Sequence, residues 1–256
     1  MMRVAKIGGR AQSDPVLAAA IKSAWNARPG GLCIVHGGGD EVSALQRAMG
    51  KQPQFVGGRR VTSASDLDLL RMVLSGSVNK RIVNALITAG VPAVGLSGED
   101  GGLIEAERID SSALGFAGRP SRINIDLLLN LLNAGYMPVI SPVAYDASDS
   151  GGGTLNVNGD DAAAAIAVAL SAVELLLIAD IEGVRDETGA TLEVLSVDQA
   201  MELVTKGVAG GGMAAKLESA HHALEAGIER VRICGLEGLL NSERGTLITQ
   251  SAGVTS

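Results

Sequence analysis

Leu32-Cys33-Ile34-Val35-His36-Gly37-Gly38-Gly39 is the stretch on which the fold turns. A short apolar run passes one histidine and breaks into three glycines. Val42, Leu45 and Met49 then recur at helical spacing between Asp40 and Met49. The order is strand, glycine turn, helix. Such a turn leaves backbone N–H groups free at a helix N-terminus, where the macrodipole also favours an anion. Glycines lack a Cβ, so a ligand can approach the backbone closely. Three glycines equally suit a tight turn that needs only positive φ, so the signal becomes specific only through partners elsewhere in the chain.

Upstream, Arg3 to Ile7 reads as a first strand with Lys6 beside the turn Gly8-Gly9. Asp14 and Pro15 suit the N-cap and first position of a helix whose apolar face is Val16, Leu17, Ala20, Ile21, Ala24 and Trp25. Pro29-Gly30-Gly31 ends it. This β-α-β-α order predicts a parallel sheet.

Downstream, residues 50 to 62 are polar and irregular, and Arg59-Arg60 in this loop could clamp a carboxylate. Ser65 to Ala89 reads as one long helix. Val91 to Leu96 is a strand, and Leu103 to Glu107 returns in a hairpin-like excursion. Asn124 can cap a helix from Ile125 to Ala134, and Met137 to Ser141 is a further strand. Asp146 to Gly153 reads as a flexible loop. Asn156, Asn158 and Asp160 alternate, which in extended chain puts them on one face before an alanine-rich helix to Ala172. A composition shift at Ser171 to Glu174 divides the chain into lobes 1–172 and 173–256. In the second lobe Glu174 to Ala179 is a strand, Ser196 to Gln199 is a capping box, and Met213 to Ala226 is a helix carrying Lys216. Arg230 to Cys234 and Thr246 to Ile248 are the last strands.

With 256 residues, 46% hydrophobic and only 2% aromatic, the chain can fill a large core with Ala, Leu, Val and Ile. Its formal net charge of −7 argues against non-specific binding to nucleic acid or to an anionic membrane. Cys33 and Cys234 lie in apolar runs, which suits buried thiols and a cytoplasmic setting. The start of the chain lacks the apolar core of a signal peptide, and the run from Ala162 to Val173 is too short to span a membrane.

The P-loop, the protein-kinase set and the dinucleotide fingerprint are absent. His221 and His222 lack a third ligand at metal spacing. What remains is a lysine before a Gly-Gly turn, a second glycine turn, Asn-x-Asn-x-Asp at a helix start, and a late glycine-rich loop leading to a lysine. Positive charge and N–H donors around a dispersed negative charge suit phosphoryl transfer.

Lys6-Ile7-Gly8-Gly9, Val35-His36-Gly37-Gly38-Gly39, Arg60-Val61-Thr62, Asn156-Val157-Asn158-Gly159-Asp160, Asp180-Ile181-Glu182-Gly183-Val184 and Gly212-Met213-Ala214-Ala215-Lys216 stand in the order seen in the amino acid kinase family. The chain resembles that family over nearly its whole length. Within it, Arg60-Val61-Thr62, Val78-Asn79-Lys80 and Val94-Gly95-Leu96-Ser97-Gly98 resemble the branch that phosphorylates the side-chain carboxylate of N-acetyl-L-glutamate.

The resemblance implies an αβα sandwich on a mainly parallel sheet, with an acceptor-binding and dimerisation lobe followed by an ATP lobe. It implies that Lys6 and Lys216 stabilise the transferring phosphoryl and that Asp160 orients them. Gly8 and Gly9 would donate N–H groups to nucleotide phosphates. Gly38, Gly39, Arg60 and Asn156 would hold the acyl amino acid. Asp180, Ile181, Glu182, Gly183, Val184 and Arg185, with Val208, Ala209 and Gly210, would bind ATP, and Mg2+ would ride on its phosphates without a protein metal site. Arg59, Gly57-Gly58, Gly159 and Glu182 depart from the family pattern. The first three touch the acceptor side, which keeps open a carrier-protein-linked 2-aminoadipate kinase. A non-catalytic amino-acid or nucleotide sensor is the alternative from another class. With the first strand starting at Arg3, the resemblance leads one to expect no extra N-terminal helix of the kind carried by the arginine-inhibited hexamers, and no inhibition by arginine. The expectation is a homodimer built on the Ser65 to Ala89 helix.

Overall fold

The computed structural model describes residues 1–149 and 152–250, apart from the side chain of Arg10. The chain runs β1 (Arg3–Ile7), a 3-10 turn (Gly9–Ser13), α1 (Leu17–Ala27), β2 (Leu32–His36), α2 (Gly39–Ala48), β3 (Phe55–Val56) and β4 (Arg59–Arg60). It continues through α3 (Ala64–Leu70), a π-helical segment (Arg71–Val78), α4 (Asn79–Thr88), β5 (Ala93–Gly98), a short 3-10 turn (Asp100–Gly102), β6 (Ile104–Arg108), α5 (Ser111–Leu114) and β7 (Ala117–Ile123). Next come α6 (Ile125–Asn133), β8 (Met137–Asp146), β9 (Thr154–Val157), α7 (Gly159–Ala169) and β10 (Glu174–Ile178). The last elements are β11 (Val194–Ser196), α8 (Val197–Thr205), α9 (Gly211–Glu225), β12 (Val231–Cys234), a 3-10 turn (Leu236–Leu239) and β13 (Thr246–Thr249).

Among the described residues, one 11-stranded sheet holds every strand except β3 and β4, which pair only with each other. Its spine is β12-β10-β1-β2-β8, parallel throughout. Every residue of β2 and β10 is buried, as parallel strands covered on both faces require. α7, backed by α9, packs on β1, β2, β7 and β10, while α4, backed by α1, packs on β5 and β8. The result is a mainly parallel αβα sandwich. Lys6, Val35 and Leu177 are register partners, so β1, β2 and β10 end together. Gly8-Gly9, Gly37 to Gly39 and Asp180 to Glu182 therefore emerge side by side at the carboxyl edge of the sheet, where ligands of open α/β sheets bind.

Several expectations change in detail. α1 starts two residues later than Pro15, and Asp14 Oδ1 instead accepts the Val16 N–H at 2.9 Å in the turn before it. The Arg59-Arg60 loop is a hairpin, turned by Gly57 and Gly58 at φ +54° and +73°, values that suit glycine at both corners. The long helix is continuous but widens into the π segment between α3 and α4. β5 and β6 do not pair as a hairpin. β5 joins β8, and β6 pairs antiparallel with β7, a strand that Pro120 had disguised. β8 runs ten residues, well past Ser141. The alanine-rich helix ends at Ala169, not Ala172. Of the Asp146 to Gly153 loop, residues 150 and 151 lie outside the described residues. Cys33 and Cys234 are buried free thiols.

Candidate functional site

β1 is apolar except at Arg3 and Lys6, and the strand places that lysine near its carboxyl end. The Lys6 Nζ lies 2.9 Å from Asp160 Oδ1. Asp160 is in the first turn of α7, which Asn158 caps by accepting the Asp160 N–H at 2.8 Å. On the far side of this carboxylate stands Lys216, six residues into α9, with its Nζ 3.0 Å from Oδ2 and 3.2 Å from Oδ1. Two lysines far apart in sequence thus share one buried carboxylate.

The electrostatics follow from that geometry. Burial alone would raise the Asp160 carboxyl, but the two ammonium groups outweigh it and hold its pKa at about 2. Burial, with the like charge of Lys6, pulls Lys216 below the usual lysine value.

These three residues line a cavity of about 260 Å³ with Gly37, Gly38, Gly39, Arg60, Asn156 and Gly212. Three helix N-termini meet there: those of α2, α7 and α9. First-turn N–H groups lack intrahelical acceptors, and the aligned peptide dipoles add partial positive charge. The arrangement is built to hold an anion with dispersed charge.

Gly38 has φ +150°, and a Cβ there would come within 2.7 Å of Leu74 Cδ2. The π segment packs directly on this turn, so a side chain there would be strained in backbone and would displace Leu74. Residues that sequence reading missed support it. His36 is fully buried, with Nδ1 2.8 Å from the Gly37 carbonyl and Nε2 3.0 Å from Asn79 Nδ2. Asn79 also donates to the Val139 carbonyl at 2.9 Å. Since the Asn79 amide is a donor, Nε2 accepts and Nδ1–H donates. Burial lowers the His36 pKa to about 4, so the ring is neutral at pH 7. Gln12 Nε2 donates to the Ile7 carbonyl at 3.0 Å beneath the same turn.

On the opposite wall, buried Arg60 donates to the Gly39 carbonyl and to Ser43 Oγ, each at 2.8 Å, and to Gln46 Oε1. Its guanidinium lies 4.7 Å from the centre of the Phe55 ring. Burial lowers its pKa from the ordinary arginine value. Asn156 Nδ2 donates to Thr62 Oγ1 at 2.9 Å. Ser43, Gln46 and Phe55 were not legible as site residues, because only the fold carries Arg60 to them.

The expected nucleotide residues are less concentrated. The Gly8 N–H is taken by the Ile178 carbonyl at 3.0 Å, so Gly8 offers no phosphate donor. What it offers is room, since a Cβ there would sit 3.0 Å from Lys6 Nζ. Gly9 does line the cavity. Asp180, Ile181 and Glu182 line a separate hollow of about 960 Å³ with Ala11, Leu236 and Arg244. Val184 is fully buried and its N–H is held by Thr246 Oγ1 at 2.8 Å, which makes it a core residue. Gly183 is buried beside Thr246 and Thr191. Arg185 bridges to Thr191. Val208, Ala209 and Gly210 lie just before α9 and line neither hollow.

Fold and site together define an α/β protein with an anion pocket at the carboxyl edge of a parallel sheet, bracketed by two lysines on one carboxylate. The model of the amino acid kinase family matches residues 1–235, and the chain belongs to that family. It is 44% identical over 224 residues to the acetylglutamate kinase of Methanopyrus kandleri, covering 84% of this chain and 89% of the relative. To the acetylglutamate kinase of Chloroflexus aurantiacus it is 42% identical over 238 residues, 92% of each. The crystal structure of smu.665 from Streptococcus mutans UA159 superimposes with a TM-score of 0.88 at 32% identity, covering 98% of this chain and 99% of that one.

Proposed function

We infer that the protein transfers the γ-phosphoryl group of ATP to the side-chain carboxylate of N-acetyl-L-glutamate, giving an acyl phosphate. The observation that carries this reading is the Lys6–Asp160–Lys216 constellation at the meeting point of three helix N-termini. Relatives named acetylglutamate kinase at 42–44% identity supply the acceptor.

In this reading the two ammonium groups approach the transferring phosphoryl from opposite sides. Their charge matters most when negative charge is spread over that group in the transition state. Asp160, ionised down to about pH 2, fixes both lysine heads and keeps them from repelling one another apart. Gly38 and Gly39 place the α2 N-terminus against the acceptor carboxylate, and Arg60 with Asn156 takes its other polar groups. Both Asp160 oxygens are on lysines, which leaves Mg2+ to the nucleotide phosphates. The loops 180–185 and 208–210 belong to the ATP side, with Val184 supporting from the core. A division into lobes 1–172 and 173–256 fits this partition, with β1 and β10 paired across it. Met72 and Ile87, exposed on the helix run from α3 to α4, support a homodimer formed there.

The test is hydroxylamine trapping of acyl phosphate with ATP and, in turn, N-acetylglutamate, glutamate, aspartate and an N-acyl 2-aminoadipate. N-acetylglutamate should give the highest kcat/KM. Preference for the aminoadipate would move the protein to the other branch, and no product with any acceptor would favour a sensor.

A further inference from the structure

The β3–β4 hairpin lies over the catalytic cavity with little core of its own. Phe55 and Val56 are more than half exposed, at 55% and 51%, and the two strands pair with nothing but each other. Its two adjacent arginines leave it in different directions. Arg60 turns inward to Gly39, Ser43 and Gln46 on α2. Arg59, at the edge of the cavity, turns the other way to an ion pair with Asp161, and its side chain is only 23% exposed in doing so. The other Asp161 oxygen accepts the Ser219 hydroxyl at 2.6 Å. Asp161 follows Asp160 on α7, and Ser219 stands three residues beyond Lys216 on α9. At the tip, Gly58 is so close to α9 that a Cβ there would touch Ala215 Cβ at 3.5 Å.

We propose that the Arg59–Asp161–Ser219 chain is a latch that holds the hairpin closed over the acceptor side of the cavity, with Arg59 as a positioning residue. The proposal rests on the phosphoryl-transfer reading for its kinetic consequences. Asp161 and Ser219 stand on the helices that carry Asp160 and Lys216, and Arg59 joins the hairpin to them. Asp161 sits next to Asp160 in a helix, where adjacent residues point in different directions. One faces the lysines and the other faces the hairpin. The latch therefore closes the lid by the same two helices that carry Asp160 and Lys216. Loss of the latch leaves the Arg60 anchor on α2 but frees the hairpin tip around Gly57 to Arg59, which weakens acceptor capture without removing transition-state charge.

The experiment compares Arg59→Ala, Arg59→Lys, Asp161→Asn and the Arg59→Ala/Asp161→Asn double variant. Arg59→Ala should raise the KM for N-acetylglutamate about fivefold to tenfold, between the effects of an exposed and a charge-assisted buried pair. The KM for ATP and kcat should stay within about twofold, because neither depends on a closed hairpin in the same way. Asp161→Asn should reproduce the effect, the double variant should be no worse than either single, and Arg59→Lys should recover most of it. Amide exchange of residues 55–60 should quicken in Arg59→Ala and Asp161→Asn while β1 and α4 keep their protection. An unchanged acceptor KM, additive losses, or unchanged hairpin exchange would overturn the latch. Wild-type protein that turned over no acceptor would sink the phosphoryl-transfer reading instead, and hairpin exchange would still decide the latch.

Discussion

The lysine–carboxylate pocket and the expected nucleotide loops lie at the same edge of the sheet, yet they are held by different means. In the pocket each group is fixed by a strand end or a helix start. Lys6 is set by β1, Asp160 by the capped first turn of α7, and Gly37 by a hydrogen bond from its N–H to the Ile7 carbonyl at 3.0 Å. The nucleotide loops leave the ends of β10 and α8 and face different hollows, or none. Strand register orders the first region before any ligand arrives. In the second region the fold ties down Val184 and Arg185 but brings the loops to no common pocket, so a nucleotide would gather contacts that the free protein leaves apart. Chemistry should therefore be concentrated in a few residues, and nucleotide affinity spread over many.

The largest expected effect tests that concentration. Lys6→Ala or Lys216→Ala should each lower kcat by about 10²–10³, the loss typical of one preorganised donor, with the ATP Kd changed far less. An equal loss in ATP affinity would mean that the two regions are not distinct in role.

The next concerns the support beneath the glycine turn. His36 has a folded pKa of about 4, below its ordinary 6.5, so the unfolded chain binds the extra proton first. Stability is then fully present above about pH 6.5 and is lost as pH falls toward 4. By pH 4.5 the loss from this group is about 2–3 kcal/mol. Urea midpoints at pH 7 and 4.5 should fall less in His36→Asn than in wild type. Equal falls would show that His36 does not carry the acid sensitivity.

Arg60→Ala should raise the acceptor KM by about tenfold to a hundredfold, the equivalent of roughly 1.5–3 kcal/mol for a charge-assisted hydrogen bond. A larger effect from Arg59→Ala would reverse the roles of the two arginines. The smallest effect belongs to the dispersed region. Glu182 is exposed on its own hollow, and Glu182→Ala should change the ATP KM by less than about fivefold, as for a solvated charge. A change of a hundredfold would show that nucleotide binding is as concentrated as the chemistry.

Much of this was readable in the residues, and the exceptions have physical causes. β2 and β10 announce themselves because buried parallel strands are short, nearly continuous apolar runs between turn signals, and β1 and β12 read the same way despite Lys6 and Arg232. β7 hides because Arg119, Pro120 and Arg122 read against a strand, and a register shift in its pairing with β6 absorbs the proline. The hairpin hides because two residues per strand carry no periodicity. The π segment leaves no pattern, since its apolar positions also fit an ordinary helix and only the close approach to Gly38 exposes its place. At the site, the grouping of Lys6, Asp160 and Lys216 was legible from the motif order through the resemblance to the family, not from the residues alone. The pairing of His36 with Asn79 and the latch on Arg59 were not, because each depends on contacts between distant elements that spacing does not encode.

The central claim is that Lys6 and Lys216 act on one phosphoryl group through Asp160, and a double-mutant cycle on kcat tests it most directly. Lys6→Ala, Lys216→Ala and the double variant are compared under saturating ATP and N-acetylglutamate. Groups that act as a unit lose most of their effect with the first removal, so the double variant should fall short of the product of the single losses by about tenfold or more. A double loss equal to that product would contradict the account, since the lysines would then act independently of one another and of the carboxylate between them.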